Sequence, residues 1–337
     1  MRALSIESPE RARVVELPTP DPGPGEVLVQ VGFVGLCGTD LGTFTGKNPL
    51  VSYPRVIGHE IAGTVSAEGR HVDAGWRGRR VAINPYKDCG ACAACAAGHP
   101  NACRRNETLG VQRDGALAEF VAVPVSRLVP SDSLPLDVLA LVEPFSIGMH
   151  AVARTAVNHD DVVLVIGCGG VGTGAIAAAA ERGARVIGLD LDARKRELAH
   201  AFGAAHTVDA AAGDAADQVR ALTAGEGPSV VIEAAGQAST YRFALEVVAS
   251  SGRIGCLGWL KGEVPLEARQ IVFKEVTILG SRNATRELAD VVRLFESGKV
   301  DPRRVVTDRV GLDEVPAVMA RWASHPAGIG KILVSVA

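Results

Sequence analysis

The chain has 337 residues, enough for two domains with separate cores. At 47% hydrophobic and 22% charged it is a globular composition rather than a disordered or fibrous one, and a formal net charge of −3 gives no surface for a polyanion, so nucleic acid is not an expected partner. No apolar run reaches the length of a membrane span and the first residues lack a signal-peptide pattern, so a cytoplasmic protein is expected, in which seven unevenly spaced cysteines point to metal or redox chemistry rather than a disulfide scaffold.

In chain order, Arg2–Ile6, Arg13–Leu17 and Val27–Val34 read as short strands, with Pro18, Pro20, Pro22 and Pro24 marking the turn before the last of them. Cys37 follows in Gly35-Leu36-Cys37-Gly38-Thr39-Asp40, and His59-Glu60 follows about twenty residues later. Alone, Cys37 would be a small buried hydrophobe and His59 a hydrogen-bonded core residue. A thiolate, an imidazole and a carboxylate together are the ligand set of an open catalytic zinc site. Cys89, Cys92, Cys95 and Cys103 then place four thiols within fifteen residues. Four thiolates can enclose one tetrahedral ion and leave no position for substrate, which is a structural role; a reactive cysteine cluster is the alternative. His99 lies inside this lobe as a surface residue. Asp114–Phe120 reads as a turn entering a strand, and Arg127–Pro130 closes the β-rich part. Glu143 is an acid in the apolar stretch Leu141–Pro144, where a structural ion pair is the plain account.

The stretch from Val162 to Asp190 organises the second half. Val162–Ile166 is a continuous apolar run that suits a strand buried on both faces of a parallel sheet. Gly167-Cys168-Gly169-Gly170-Val171-Gly172 fits G-x-G-x-x-G, Thr173–Arg182 is an alanine-rich helix, and Arg185–Leu189 is a second strand ending at Asp190. Strand, glycine turn, helix, strand and acid in this order form a dinucleotide-binding unit. Gly167 allows the turn, Gly169 admits a pyrophosphate, Gly172 lets helix and strand pack, and Asp190 meets the ribose hydroxyls. The acid favours NAD over NADP. Alternation continues with helices Ala193–Phe202, Ala216–Thr223 and Thr240–Val248 and strands Ser229–Glu233, Arg253–Leu257 and Val276–Leu279. Ala234-Ala235-Gly236 ends one of these strands, where open α/β sheets bind ligands. Cys168 and Cys256 read as packing cysteines beside these loops. Arg286–Ser297 is a further helix, and Lys331–Val334 a terminal strand.

Gly58-His59-Glu60-Ile61-Ala62-Gly63, followed by Gly69 and Val72, resembles the zinc signature of the medium-chain alcohol dehydrogenases, and the resemblance spans nearly the whole chain. Gly115–Glu119 resembles another segment of that family. Glu143-Pro144, with Glu60 after His59, resembles its sorbitol and threonine dehydrogenase branch. The resemblance implies an α/β architecture: a GroES-like β-rich catalytic domain from 1–149 and 286–337, and a doubly wound Rossmann NAD-binding domain from 150–285. It implies two zinc ions per chain. The catalytic one falls to Cys37 and His59 with Glu60 or Glu143, the structural one to Cys89, Cys92, Cys95 and Cys103. One thiolate and one carboxylate already neutralise the ion, so one of the two glutamates is expected outside its ligand shell. Cofactor contacts are implied for Gly167, Gly169, Gly170, Val171, Gly172 and Asp190, for Lys195 near the adenosine ribose, and for Leu257 and Arg282 near the nicotinamide. Thr39 is implied to contact the substrate oxygen and pass on its proton. The family's relay often continues to a histidine three positions later, where this chain has Gly42.

The expected activity is NAD-dependent, zinc-dependent and reversible oxidation of a secondary alcohol of a polyol, sugar or sugar acid to a ketone. Phe44, Lys47 and Asn48 are the expected pocket, the last two suiting a hydroxylated or acidic substrate. The alternatives are a threonine-type amino alcohol dehydrogenase and a non-catalytic NAD(H)-binding regulatory protein. Intact Cys37, His59, Glu60 and Glu143 argue against the latter. A homodimer or homotetramer is implied by the family.

Overall fold

The structure, a computed structural model, describes residues 1–260 and 262–336. The chain divides into two compact units, Met1–Glu143 with Leu288–Ala337, and Pro144–Glu287. The sequence set the breaks after residues 149 and 285.

The first unit is mostly β. Its larger sheet runs Leu128–Pro130, Arg80–Ile83, Glu60–Glu68, Glu26–Leu36, Lys331–Ser335, Val306–Gly311, with Phe120–Pro124 also pairing to Glu26–Leu36. A smaller sheet joins Arg11–Glu16, Arg2–Ser8 and Arg55–Val56. Alternating strands turn Val27, Val29, Val31, Ile61, Ile83 and Ile332 into one apolar core. Each is essentially fully buried, worth roughly 1.5–3 kcal/mol of transfer free energy. The register decides where chemistry can gather. Gly35 lies opposite Glu60 on one side and Leu333 on the other, and Leu36 lies opposite Ile332. The residues just beyond these pairs, Cys37, His59 and Lys331, therefore meet at one end of the sheet although the sequence separates them widely.

Two of the helices that were not anticipated bear on the site. Gly38–Phe44 begins at once after Cys37, and Asp40 caps it by accepting the Cys37 N–H at 2.9 Å. Val142–Arg154 carries Glu143 in its first turn, where the missing N–H of Pro144 costs nothing.

The second unit is a six-stranded, all-parallel sheet in the order His206–Asp209, Arg185–Asp190, Val162–Ile166, Val230–Glu233, Arg253–Cys256, Thr277–Gly280. The chain leaves Val162–Ile166 toward one side and later returns to its other side, which makes a topological switch point at the C-terminal ends of these strands. Helix Gly170–Glu181 starts three residues earlier than expected. Glycine is a poor helix former, but the first turn has free N–H groups in any case, and Gly169 in extended conformation caps it. Its Gly172, Gly174, Ala175 and Ala178 are buried, so the small side chains let the helix lie close to the sheet. Among the described residues no helix is long and apolar enough to cross a membrane.

Candidate metal centres and dinucleotide cradle

The ligand atoms of Cys37, His59 and Glu60 lie within 4.8 Å of one another. Register explains the convergence, since Cys37 extends the strand that pairs with the one Glu60 begins. His59 and Glu60 are buried, while Cys37 is partly exposed. Asp40 ties the two segments together, accepting from the backbone N–H of Cys37 at 2.9 Å and of Gly58 at 3.3 Å. His59 Nδ1 is buried without a hydrogen bond and faces Asp40 Oδ1 at 3.7 Å. A carboxylate behind one imidazole nitrogen is the arrangement that orients a metal-ligating histidine. Burial lowers the His59 pKa, but Asp40, Cys37 and Glu143 outweigh it and hold it well above the usual histidine range. Ligands so arranged, rich in negative charge and with an orphaned buried nitrogen, fit a divalent cation.

Lys331 was not singled out by sequence. Its Nζ contacts Glu60 Oε1 at 2.5 Å and Oε2 at 2.7 Å, and donates to the Leu36 carbonyl at 3.1 Å. Burial disfavours the ammonium, yet Glu60 and Cys37 raise its pKa, so it stays charged. Glu143 accepts a hydrogen bond from the Tyr86 phenol. Burial, reinforced by Glu60, pushes the Glu143 carboxyl up to about 7, against the pull of His59, Tyr86 and Lys331. Thr39 places its hydroxyl 3.7 Å from the Cys37 sulfur. Gly42 leaves open space except for Asn48, whose side chain is engaged with Thr43 Oγ1 and the Leu50 N–H. Of the expected pocket residues, Phe44 is 4% exposed and packs in the core, and Asn48 shapes its own loop.

The four-cysteine lobe is local, with Cys103 buried and the other three partly exposed. The sulfur separations are 3.5 Å for Cys92–Cys95, 3.8 Å for Cys92–Cys103 and 3.5 Å for Cys89–Cys103. These are far from a disulfide bond of about 2.05 Å. They match the roughly 3.8 Å edge of a tetrahedron with zinc–sulfur distances of about 2.3 Å. The Ala91 N–H and then the Arg105 side chain draw the Cys89 thiol down to about 5, and Cys92 is also lowered. Burial and the neighbouring thiols push Cys95 up to about 12. His99 is exposed.

In the second unit the glycine turn forms an open cradle. Nothing lies within 4 Å of where a Gly169 Cβ would stand, whereas a Cβ on Gly172 would sit 1.8 Å from the Gly167 carbonyl oxygen. One glycine clears room for a ligand and the other lets the turn close. Gly170 and Val171 open the helix beside them. Asp190 Oδ2 accepts from the Cys168 N–H at 2.8 Å, which brings the acid to the edge of the cradle. These features fit a dinucleotide. Arg196, which sequence reasoning passed over, donates to the Asp190 and Leu191 carbonyls at 2.9 and 3.0 Å and pairs with Asp209 at 3.0 Å. Lys195 is partly buried one position earlier, Leu257 N–H donates to the Glu233 carbonyl at 2.9 Å, and Arg282 is exposed after the last strand. Cys168 is buried and Cys256 partly so.

Residues 23–133 match the alcohol dehydrogenase GroES-like domain and residues 170–297 the zinc-binding dehydrogenase domain. L-galactonate-5-dehydrogenase of Escherichia coli K12 is 36% identical, over 92% of this chain and 91% of its own. The chain belongs to the zinc-dependent medium-chain dehydrogenases. Two solved structures agree in fold with a TM-score of 0.93 each. One is an alcohol dehydrogenase (RspB) of Escherichia coli CFT073 complexed with NADH, 28% identical and covering 100% of this chain and 99% of that one. The other is a zinc-binding dehydrogenase of Sinorhizobium meliloti 1021 bound to NADP, 32% identical and covering 99% of both. This dehydrogenase is accordingly an oxidoreductase that uses a nicotinamide dinucleotide.

Sequence reasoning missed Asp40, Tyr86 and Lys331. A lysine heading the apolar run Ile332–Val334 and an aspartate three residues after Cys37 were the available signals; nothing in sequence joined Tyr86 to Glu143.

Proposed function

We propose that this dehydrogenase oxidises a secondary alcohol of a polyol, sugar or sugar acid to a ketone, reversibly, with NAD. The convergence of partly exposed Cys37 with buried His59 and Glu60 carries the reading. These three would hold the catalytic zinc, and Cys89, Cys92, Cys95 and Cys103 a structural one. Bound zinc supplies positive charge that lowers the pKa of an alcohol hydroxyl, and bound NAD supplies the hydride acceptor. The chain's own residues do the rest. Lys331 offsets the charge of Glu60, so that Cys37 and Glu60 together do not make the centre strongly negative. Asp40 orients the His59 ring. Thr39 Oγ1 accepts the substrate proton and gives up its own. With Gly42 in place of a relay histidine, we assign the onward proton transfer to Glu143, whose carboxyl already accepts a hydrogen bond from the Tyr86 phenol.

The Asp190 carboxylate supports NAD rather than NADP, since a 2′-phosphate would approach a negative charge. The GroES-like unit is the catalytic domain and the Rossmann-like unit the NAD-binding domain in this reading. Thr277–Gly280 is an edge strand among the described residues, and Ile278, Val272, Phe273 and Trp259 are exposed around it. An edge strand pairing with its own copy is self-complementary, so we assign a second copy of the chain to this edge; sedimentation as a monomer would refute it. We place the enzyme in the cytoplasm, where thiols stay reduced.

The test is NADH formation by zinc-loaded protein across polyols, sugar acids, threonine and simple alcohols, with NADP as a second acceptor. Turnover of one hydroxylated class with NAD, lost in Cys37→Ala, is expected. Turnover confined to threonine, or a preference for NADP, overturns the corresponding part.

A further inference from the structure

Glu233 ends the strand Val230–Glu233 at the switch point of the second unit, and it is completely buried. Its Oε1 accepts three hydrogen bonds, from the N–H of Ala235 at 3.0 Å, the N–H of Gly236 at 2.8 Å and the Thr240 hydroxyl at 2.8 Å. Its main-chain carbonyl accepts two more, from Leu257 and Gly258, each at 2.9 Å. The Tyr241 phenol closes the ring by donating to the Gly258 carbonyl at 2.6 Å. Burial, then Cys256 and Glu233, push that phenol up to about 12, so it remains a donor. The carboxylate thus holds loop 234–236 and the start of the following helix, while the main-chain carbonyl of the same residue holds 257–258 at the end of the neighbouring strand.

Those loops form the wall of the dinucleotide cradle. The Ala234 N–H donates to the Ile166 carbonyl at 2.9 Å, and the Gly167 α-carbon abuts the Ala234–Ala235 peptide so closely that a Cβ on Gly167 would meet Ala235 N at 3.0 Å. Behind them a Cβ on Gly258 would stand 2.2 Å from Gly236 N and 2.5 Å from Glu233 Oε2. The stack from the glycine turn through Ala235 and Gly236 to Gly258 has no slack. Glu233 Oε2 is buried with no hydrogen-bond partner among the described residues. A buried carboxylate with an idle oxygen is a costly way to hold a loop unless loop position matters.

We propose that Glu233 is a positioning residue for the cofactor: its carboxylate fixes loop 234–236 against the glycine turn and so sets the shape of the dinucleotide cradle. It acts through that loop and touches no reacting atom. The inference rests on the reading that the cradle binds a nicotinamide dinucleotide. What matters is an acceptor at the Oε1 position, not the charge. Glu233→Gln keeps that acceptor, removes the charge and puts an NH2 where the second oxygen stands, next to the Tyr241 phenol. Glu233→Asp keeps the charge but withdraws the acceptor by one methylene.

The experiment is NADH fluorescence titration of wild type, Glu233→Gln, Glu233→Asp and Thr240→Val, with urea unfolding and zinc content measured on each. Glu233→Gln should bind NADH within about threefold of wild type and Glu233→Asp about tenfold more weakly, the scale of one or two lost hydrogen bonds. Zinc content should not change, and KM for NAD should rise in Glu233→Asp with kcat at saturation nearly constant. A folded Glu233→Asp with wild-type NADH affinity overturns the proposal, as does Glu233→Gln binding as poorly as Asp. If Glu233→Asp fails to fold, Thr240→Val, which removes one donor and keeps the acid, should bind about threefold more weakly, and unchanged binding overturns the proposal. A wild type that binds no NADH refutes both this inference and the cofactor reading; binding by wild type with unaffected variants refutes this inference alone.

Discussion

The two metal-fitting clusters of the first unit are built on opposite plans. The cysteine lobe takes all its ligands from Cys89–Cys103, a single loop with three partly exposed thiols and one buried. The Cys37, His59 and Glu60 centre draws on two strand ends, and its supporting polar and charged groups come from Asp40, Tyr86, Glu143 and Lys331. A closed four-thiolate set needs only ligand spacing to work. An open set must also control its net charge, its histidine orientation and its protons, and those tasks fall to residues that only the folded sheet brings near. The difference teaches that a structural ion can be encoded locally, whereas a reactive one needs the register of the whole unit.

The sharpest way to break this comparison is to remove one thiol from each cluster. Cys37→Ala should lower kcat/KM by about 10³-fold or more, since the charge that activates the hydroxyl goes with the ion, while urea unfolding changes little. Cys92→Ser should do the reverse, costing several kcal/mol of stability through loss of the structural ion while any protein still folded retains turnover. Equal effects on both assays would erase the distinction. Lys331→Met comes next. In chelated, metal-free protein it leaves Glu60 buried without a cation and should destabilise the fold by about 3–5 kcal/mol, a loss that the additional change Glu60→Gln largely recovers.

A smaller effect concerns protons and is measured on chelated, metal-free protein. The Glu143 carboxyl is raised in the folded state from the usual 4.5 to about 7, so between those values the folded chain binds the proton more tightly than the unfolded one. Its contribution to stability is complete below about 4.5 and is lost as pH rises through about 7, with a slope of at most ~1.4 kcal/mol per pH unit for one proton. Glu143→Gln should flatten this part of the stability profile, and an unchanged profile would show that Glu143 ionises freely. The smallest expected effect is that of Tyr86→Phe, about 1–2 kcal/mol in urea unfolding from loss of one hydrogen bond to the buried carboxyl.

What sequence made legible obeys the same division. The lobe was readable because its four thiols lie close in the chain, and the glycine turn because strand, turn, helix and acid succeed one another without interruption. Cys37 and His59-Glu60 were readable through the family signature. Lys331 was not, because its partner Glu60 is 271 positions away and only the pairing of both Lys331–Ser335 and Glu60–Glu68 with Glu26–Leu36 joins them. Glu233 looked like the polar end of a buried strand, since its five acceptor contacts run to loops whose closeness depends on parallel register. Helix Gly38–Phe44 was hidden by its two glycines, poor helix formers that its cap at Asp40 and its tertiary contacts override. Asn48 looked like a pocket residue because a polar side chain after Cys37 suits a hydroxylated substrate, while its actual bonds lie within five residues.

The strand Lys331–Ser335 has a consequence for biosynthesis. Pro144–Glu287 is one continuous stretch and can complete its sheet while the ribosome is still translating the last helices and strands. Met1–Glu143 cannot, because the strand Glu26–Leu36 lacks one of its neighbours, and Glu60 its counter-ion, until Lys331–Ser335 has emerged. The part of the enzyme made first therefore matures last, and a nascent chain stalled short of Lys331 holds a finished nucleotide fold and an unfinished metal centre.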